Sequence, residues 1–159
     1  MPNVDMLEIL LQSKVFKGLS DEHLKEITDC VNIVTFEKNE TIIREGQAEH
    51  PLFIVIKGQV EVVLPQTASG QDYERVTRIK LNRLTQGDCI GEYSLIDEQP
   101  ASAAVIALEP CRLFEISRSR FGKIINSNDF IAKTVYKNIL LIMIKRARDS
   151  NRELDICFH

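Results

Sequence analysis

Tryptophan is absent from this 159-residue chain, histidine occurs three times, and no apolar stretch is long enough to span a bilayer. The densest apolar run, Ile139 to Ile144, falls far short of the ~20 residues a membrane helix needs, so no membrane partner is expected. Positive charge is not in excess either: 20 Lys and Arg stand against 23 Asp and Glu, a formal net charge of −3. That balance lacks the basic footprint that a nucleic-acid backbone demands, so no nucleic-acid partner is expected. The opening MPNVDMLEILLQSKVF has no cationic leader, and Glu8 and Gln12 break its apolar run. It reads as an amphipathic helix and not as a signal peptide, which places the protein in the cytoplasm. Cys30, Cys89, Cys111 and Cys157 show no CxxC spacing, and three of them sit among apolar neighbours, as reduced thiols do. His23, His50 and His159 are isolated, so neither a metal site nor a bound cofactor is expected. No Ser, Cys or His occupies a recognisable nucleophile setting, and an enzyme is not expected.

What remains is an ordinary globular composition, 44% hydrophobic and 27% charged, at a length that suits one core. The expected organisation is a single domain over 1–159, with N-terminal helices in 1–32, a β-barrel in 33–117 and C-terminal helices in 118–159. Val4, Leu7, Leu10, Leu11 and Val15 fall at helical spacing and predict a helix within 4–16. Gly18 breaks the chain. Ser20 then caps a second helix, with Asp21 and Glu22 at its positive end and Leu24, Ile27 and Val31 on its buried side.

From Ile33 to Ser117 the period shortens to that of strands: IVTF, TIIRE, LFIVIKG, VEVVLP, ERVTRIKLNRL, CIGEY, AAVIAL and CRLFEIS. Short runs with Gly46, Gly58, Gly70 and Gly87 between them predict an antiparallel β-barrel or jelly roll, mainly β with flanking helices. The polar stretch from Gln66 to Asp72 reads as a hairpin tip. After Ser117 the period becomes helical again. A short helix carries Phe121, Ile124 and Ile125, and a long one runs from about Phe130 toward Ile156 after the cluster Ser127, Asn128, Asp129. On the long helix Ile131, Val135, Ile139 and Ile142 form one apolar face. Tyr136, Leu140, Met143, Ala147, Ser150, Leu154 and Cys157 form a heptad-like second seam, which predicts a homodimer through this helix, the alternative being that this seam caps the same core.

The strongest functional signal is CIGEYSLIDEQPASAAVIA, Cys89 to Ala107. Gly91 and Glu92 precede a single helical turn through Tyr93 to Ile96, and Pro100 returns the chain into small residues. Outward amides at such a turn suit an anion, Glu92 can accept from a sugar hydroxyl, and small side chains at 101–104 leave room for a ligand. A turn followed by a helix-start carboxylate is the plainer alternative.

The order of FKGLS, EKNETIIREGQ, LFIVIKGQVEVV and GDCIGEYSLIDEQPASAAVIALEPCRLFEIS resembles the cyclic-nucleotide-binding domain family, including the catabolite activator type, over nearly the whole chain. The resemblance implies that Gly91 to Ala104 is a phosphate-binding cassette. Gly91, Glu92, Tyr93 and Ser94 match its front, and Ser102 with Ala103 its back, for a ligand such as cAMP or cGMP. It implies that Glu92 holds the ribose 2′-hydroxyl. Where the family carries an arginine for the phosphate, this sequence has Ala101. Alanine cannot make a guanidinium contact. Three readings stay open: backbone amides with Ser102 act alone, one of Arg75, Arg78 and Arg83 substitutes, or the pocket serves another ligand or none; each of these arginines also reads as a solvated strand-face charge.

On the long helix the resemblance places Asp149 and Ser150 near the base, with a surface carboxylate and a seam serine as alternatives. The family's helix-turn-helix output domain is not expected, since the sequence ends at His159. Two functional readings follow: a regulatory module that binds cyclic nucleotide and signals to an unknown protein partner, or a dimeric interaction scaffold that has lost nucleotide binding. Cupin-like enzymes share such barrels but need clustered metal ligands.

Overall fold

The computed structural model describes residues 2–66 and 77–158. Among these residues the elements follow in the order α1 (Pro2–Leu11), α2 (Asp21–Thr28), β1 (Asn32–Phe36), β2 (Thr41–Ile43), β3 (Leu52–Lys57) and β4 (Val60–Leu64). There follow β5 (Ile79–Leu84), β6 (Cys89–Ile90), α3 (Glu92–Asp97), β7 (Ala104–Ala107), β8 (Cys111–Ile116), α4 (Arg118–Ser127) and α5 (Asp129–Phe158). The strands form two antiparallel four-stranded sheets ordered β1-β8-β3-β6 and β2-β7-β4-β5, which is the jelly-roll class with flanking helices.

Strand β3 shows why the sheets stack as they do. Successive side chains of a strand point to opposite faces. Leu52, Ile54 and Ile56 join Leu10, Leu24, Ile27, Phe121 and Ile131 in a core between the first sheet and the helices. Phe53 and Val55 point the other way and meet Ile42, Ile43, Val60 and Val105 of the second sheet. A strand covered on both faces must be apolar at every position, and LFIVI is such a run. Its register on β8 sets Ile54 opposite Phe114 and Val55 opposite Leu113, all four fully buried. Each such side chain contributes about 1.5–3 kcal/mol by leaving water.

The helix signals act as their chemistry requires. Ser20 caps α2 by accepting from the His23 amide, and the His23 ring reaches back toward Ser20 to close a capping box. Asn128 caps α5: its Oδ1 accepts from the amides of Phe130 at 2.8 Å and Ile131 at 3.3 Å. The first helix is shorter than its apolar spacing predicts. It stops at Leu11 because the chain turns to dock: the Lys14 amide donates to the Gly87 carbonyl at 3.1 Å and the Val15 amide to Ser13 Oγ at 3.2 Å. Val15 is fully buried from this turn and not from a helix. Asn138 of α5 then clamps the same connection, donating to the carbonyls of Val15 and Lys17 at 2.8 Å each.

The run CIGEY yields only a two-residue strand, since α3 begins at Glu92. Apart from Gln66, the stretch read as a hairpin tip lies outside the described residues, as do Gly70 and Arg75.

Helix α5 departs from the two seams read in the sequence. Ile131, Val135 and Ile139 are fully buried, while Tyr136, Leu140, Leu141 and Ile144 are exposed. Beyond that point the second seam divides, for Ser150, Leu154 and Cys157 border a cavity. The buried stripe 131, 135, 139, 142 continues in steps of four and three to Arg146, Ser150, Glu153 and Cys157. One face of a single helix therefore runs off the core and over the cavity.

Candidate functional site

The cavity has a volume of about 720 Å³, within the usual range of small-molecule sites. Its floor is the second sheet, with Ile43, Val62, Leu84 and Val105. Its rim is the segment from Cys89 to Ala103, and the C-terminal half of α5 closes it. Gly91, Glu92, Tyr93, Ser94, Ser102 and Ala103 all border this one space, so the six residues singled out in the sequence come together.

Gly91 has to be glycine on two grounds. Its φ is +87°, and a Cβ there would sit 2.8 Å from both His50 Nδ1 and the Pro51 carbonyl oxygen. That close approach lets α3 start directly over β3. Glu92 opens α3 and is 3% exposed, which is unusual for a carboxylate and calls for a partner. The partner is Arg146 of α5: Nη1 donates to Glu92 Oε1, and Nη2 donates to the Cys89 carbonyl at 2.7 Å. Burial works against the charge on Arg146, but Glu92 foremost, with Cys89, Tyr93 and Asp88, outweighs it and holds the guanidinium above its ordinary pKa.

Ser94 is 3% exposed, and its Oγ lies 2.8 Å from His50 Nε2. Its carbonyl accepts from Arg118 Nη2 at 3.1 Å and from the Glu98 amide at 3.1 Å, which fixes the short helix from behind. Tyr93 is 43% exposed over the cavity mouth. Ser102 is exposed and Ala103 half-buried. Ala101 also borders the cavity, with its backbone held on both sides: its amide donates to the Gln47 carbonyl at 3.0 Å and its carbonyl accepts from the Gly46 amide at 2.7 Å.

Two of the arginines considered as substitutes for the missing one do not border the cavity. Arg78 Nη2 instead pairs with buried Glu61 at 3.1 Å, and Arg83 faces Glu61 across the β4–β5 ladder as an exposed strand residue. Asp149 pairs with Lys145 at 2.7 Å on the outer face of α5, whereas Ser150 borders the cavity.

Residues 33–128 match the family described as the cyclic nucleotide-binding domain. The chain belongs to that family. The chain is 31% identical over 120 residues to cGMP-dependent protein kinase 2 of Mus musculus, a match covering 75% of this chain and 15% of the kinase. The chain thus spans a small part of the curated relatives it matches. Among solved structures, the Thermus thermophilus catabolite activator protein superposes with a TM-score of 0.71 at 25% identity, covering 91% of this chain and 63% of that one. A cyclic nucleotide-binding domain from Methylobacillus flagellatus superposes with a TM-score of 0.78 at 21% identity, covering 94% and 80%.

Sequence reasoning missed two residues of this cyclic nucleotide-binding domain. Arg146 was legible, since it occupies the position after Ile142 on the buried stripe of α5, where a charge needs a partner. His50 carries no such signal; only the fold brings it under Ser94, 44 positions away. Among the described residues no helix is long and apolar enough to cross a membrane, and no group of three His, Cys, Asp or Glu is placed to hold a metal ion.

Proposed function

We propose that this domain is a regulatory module that takes cAMP or cGMP into the cavity between Cys89–Ala103 and α5 and signals occupancy to a protein partner. In this reading Glu92 accepts the ribose 2′-hydroxyl, and Ser94, Ser102, Ala103 and the backbone around Gly91 and Tyr93 surround the cyclic phosphate. The observation that carries the reading is the buried Glu92 carboxylate at the rim of a cavity of this size, next to small residues 101–103. The similarity to a cGMP-dependent kinase supports the same ligand class.

The exposed apolar face of α5, Tyr136, Leu140, Leu141 and Ile144, supports self-association through a second copy of that helix. Ala101 favours a second reading, a dimeric scaffold without nucleotide. Calorimetric titration with cAMP and with cGMP to millimolar concentration, alongside light scattering, separates the two. Saturable heat supports the sensor, and a flat trace from a folded dimer supports the scaffold.

A further inference from the structure

Resting on that reading, we infer that Arg146 supplies the cation for the ligand's anionic group, so that the charge absent at position 101 is delivered by helix α5. Three observations carry this. Arg146 borders the cavity, and its side chain keeps 19% exposure while the carboxylate it pairs with keeps 4%. Its two recorded bonds, to Glu92 and to the Cys89 carbonyl, engage one N–H from each terminal nitrogen. Each of those nitrogens carries a second hydrogen, so the guanidinium can hold Glu92 and still present donors to a phosphate.

Lys80 is the other aliphatic or guanidinium cation among the described residues that border the cavity, and it does not fit the role. Its side chain is 69% exposed and lies 3.8 Å from Glu61. A solvated charge already facing a carboxylate attracts a phosphate weakly. Arg146, by contrast, is oriented by two bonds before any ligand arrives, which lowers the ordering cost of binding. Glu92 then has two tasks. It accepts the sugar hydroxyl, and it fixes the guanidinium beside the site the phosphate would take.

The consequence is a specificity rule. An anionic nucleotide engages α5 directly, whereas an uncharged nucleoside engages only the cassette and the sheet.

The test compares wild-type protein with Arg146→Gln, Arg146→Lys, Ala101→Arg and the double variant Ala101→Arg/Arg146→Gln, by calorimetric titration with cAMP, cGMP, adenosine and guanosine. Arg146→Gln is expected to weaken cyclic-nucleotide binding by about 30-fold or more while changing nucleoside affinity less than about threefold. Arg146→Lys, which keeps the charge but not the fork, is expected to fall between, and serves alone if the Gln variant does not fold. A larger gain from Ala101→Arg in the Gln background than from Ala101→Arg alone is a result that a purely structural role for Arg146 would not give. Equal losses for nucleotide and nucleoside, or no loss for either, overturn the inference. If wild-type protein takes up no cyclic nucleotide at all, the proposed function itself fails and this assignment with it.

Discussion

His50 Nε2 lies 2.8 Å from Ser94 Oγ while His50 Nδ1 lies 3.2 Å from the Pro51 carbonyl oxygen, so one buried ring joins the start of β3 to the first turn of α3. Gly91 sits directly over this ring. Replacing Gly91 with Ala is expected to destabilise the fold, because the new Cβ meets both His50 and the Pro51 carbonyl and the backbone stays at positive φ. Removing the ring with His50→Ala relieves one of those contacts but not the carbonyl. The double variant Gly91→Ala/His50→Ala should therefore remain less stable than His50→Ala alone in urea denaturation. Equal midpoints for the two would show that the carbonyl yields and that the ring alone demands glycine.

The ion pair between Glu92 and Arg146 is expected to be coupled. Glu92→Ala leaves a largely buried guanidinium with the Cys89 carbonyl as its recorded partner, at a cost of roughly 2–3 kcal/mol. That is below the cost for a wholly buried pair because Arg146 keeps some access to water. Arg146→Ala strands the Glu92 carboxylate in the same way. The double variant should be more stable than the sum of the two losses predicts, by about 1–3 kcal/mol in a double-mutant cycle. Additive losses would mean that the two charges do not interact in solution.

Burial first, and then the neighbouring Glu92 charge, pushes the Cys89 thiol well above its ordinary pKa. A raised pKa favours the protonated folded form. Its contribution is fully present below the unfolded pKa of about 8.5 and declines as pH rises from there toward the folded pKa. The stability difference between wild type and Cys89→Ala should thus be constant up to about pH 8 and then shift against wild type by roughly 1 kcal/mol per pH unit. A flat difference through pH 10 would place the thiol in contact with water.

How much of this was legible in the sequence depends on which interactions are local. Ser20 and Asn128 cap helices through amides two or three residues away, and the unbroken apolar run of β3 marks a buried strand, so these could be read directly. The six cassette residues could be grouped because they lie within a span of 13 positions. What could not be read is what crosses the fold. Glu92 and Arg146 are 54 positions apart, and nothing in either segment names the other. The second seam on α5 divides for a related reason. A step of three and four marks a helix face but not what covers it, and the cavity wall takes over from Ser150 onward. Arg78 and Arg83 show the same limit: Arg78, just before β5, pairs with Glu61, and Arg83 stands opposite Glu61 in the β4–β5 register.

If α5 pairs with a second copy of itself, Leu140 should lie in that interface. It is 57% exposed and next to exposed Tyr136, Leu141 and Ile144, while its neighbour Ile139 is fully buried in the core. Leu140→Glu is expected to halve the mass measured by light scattering and to leave the urea midpoint of the monomer nearly unchanged. A mass unaffected by this substitution would remove the helix face from the interface.

Ala101 offers the most direct test of the cassette. Its backbone is fixed on both sides by Gly46 and Gln47, and its side chain borders the cavity, so a longer side chain can extend without moving the strand ends. Ala101→Arg is expected to tighten cAMP or cGMP binding, with little change in the stability of the ligand-free protein. A full new charge contact would correspond to about 30-fold or more. The gain should be smaller in wild type than in the Arg146→Gln background, because a phosphate already held by one guanidinium profits less from a second. An equal gain in both backgrounds would mean that Arg146 does not touch the phosphate, and no gain in either would mean that the segment 101–103 no longer seats it.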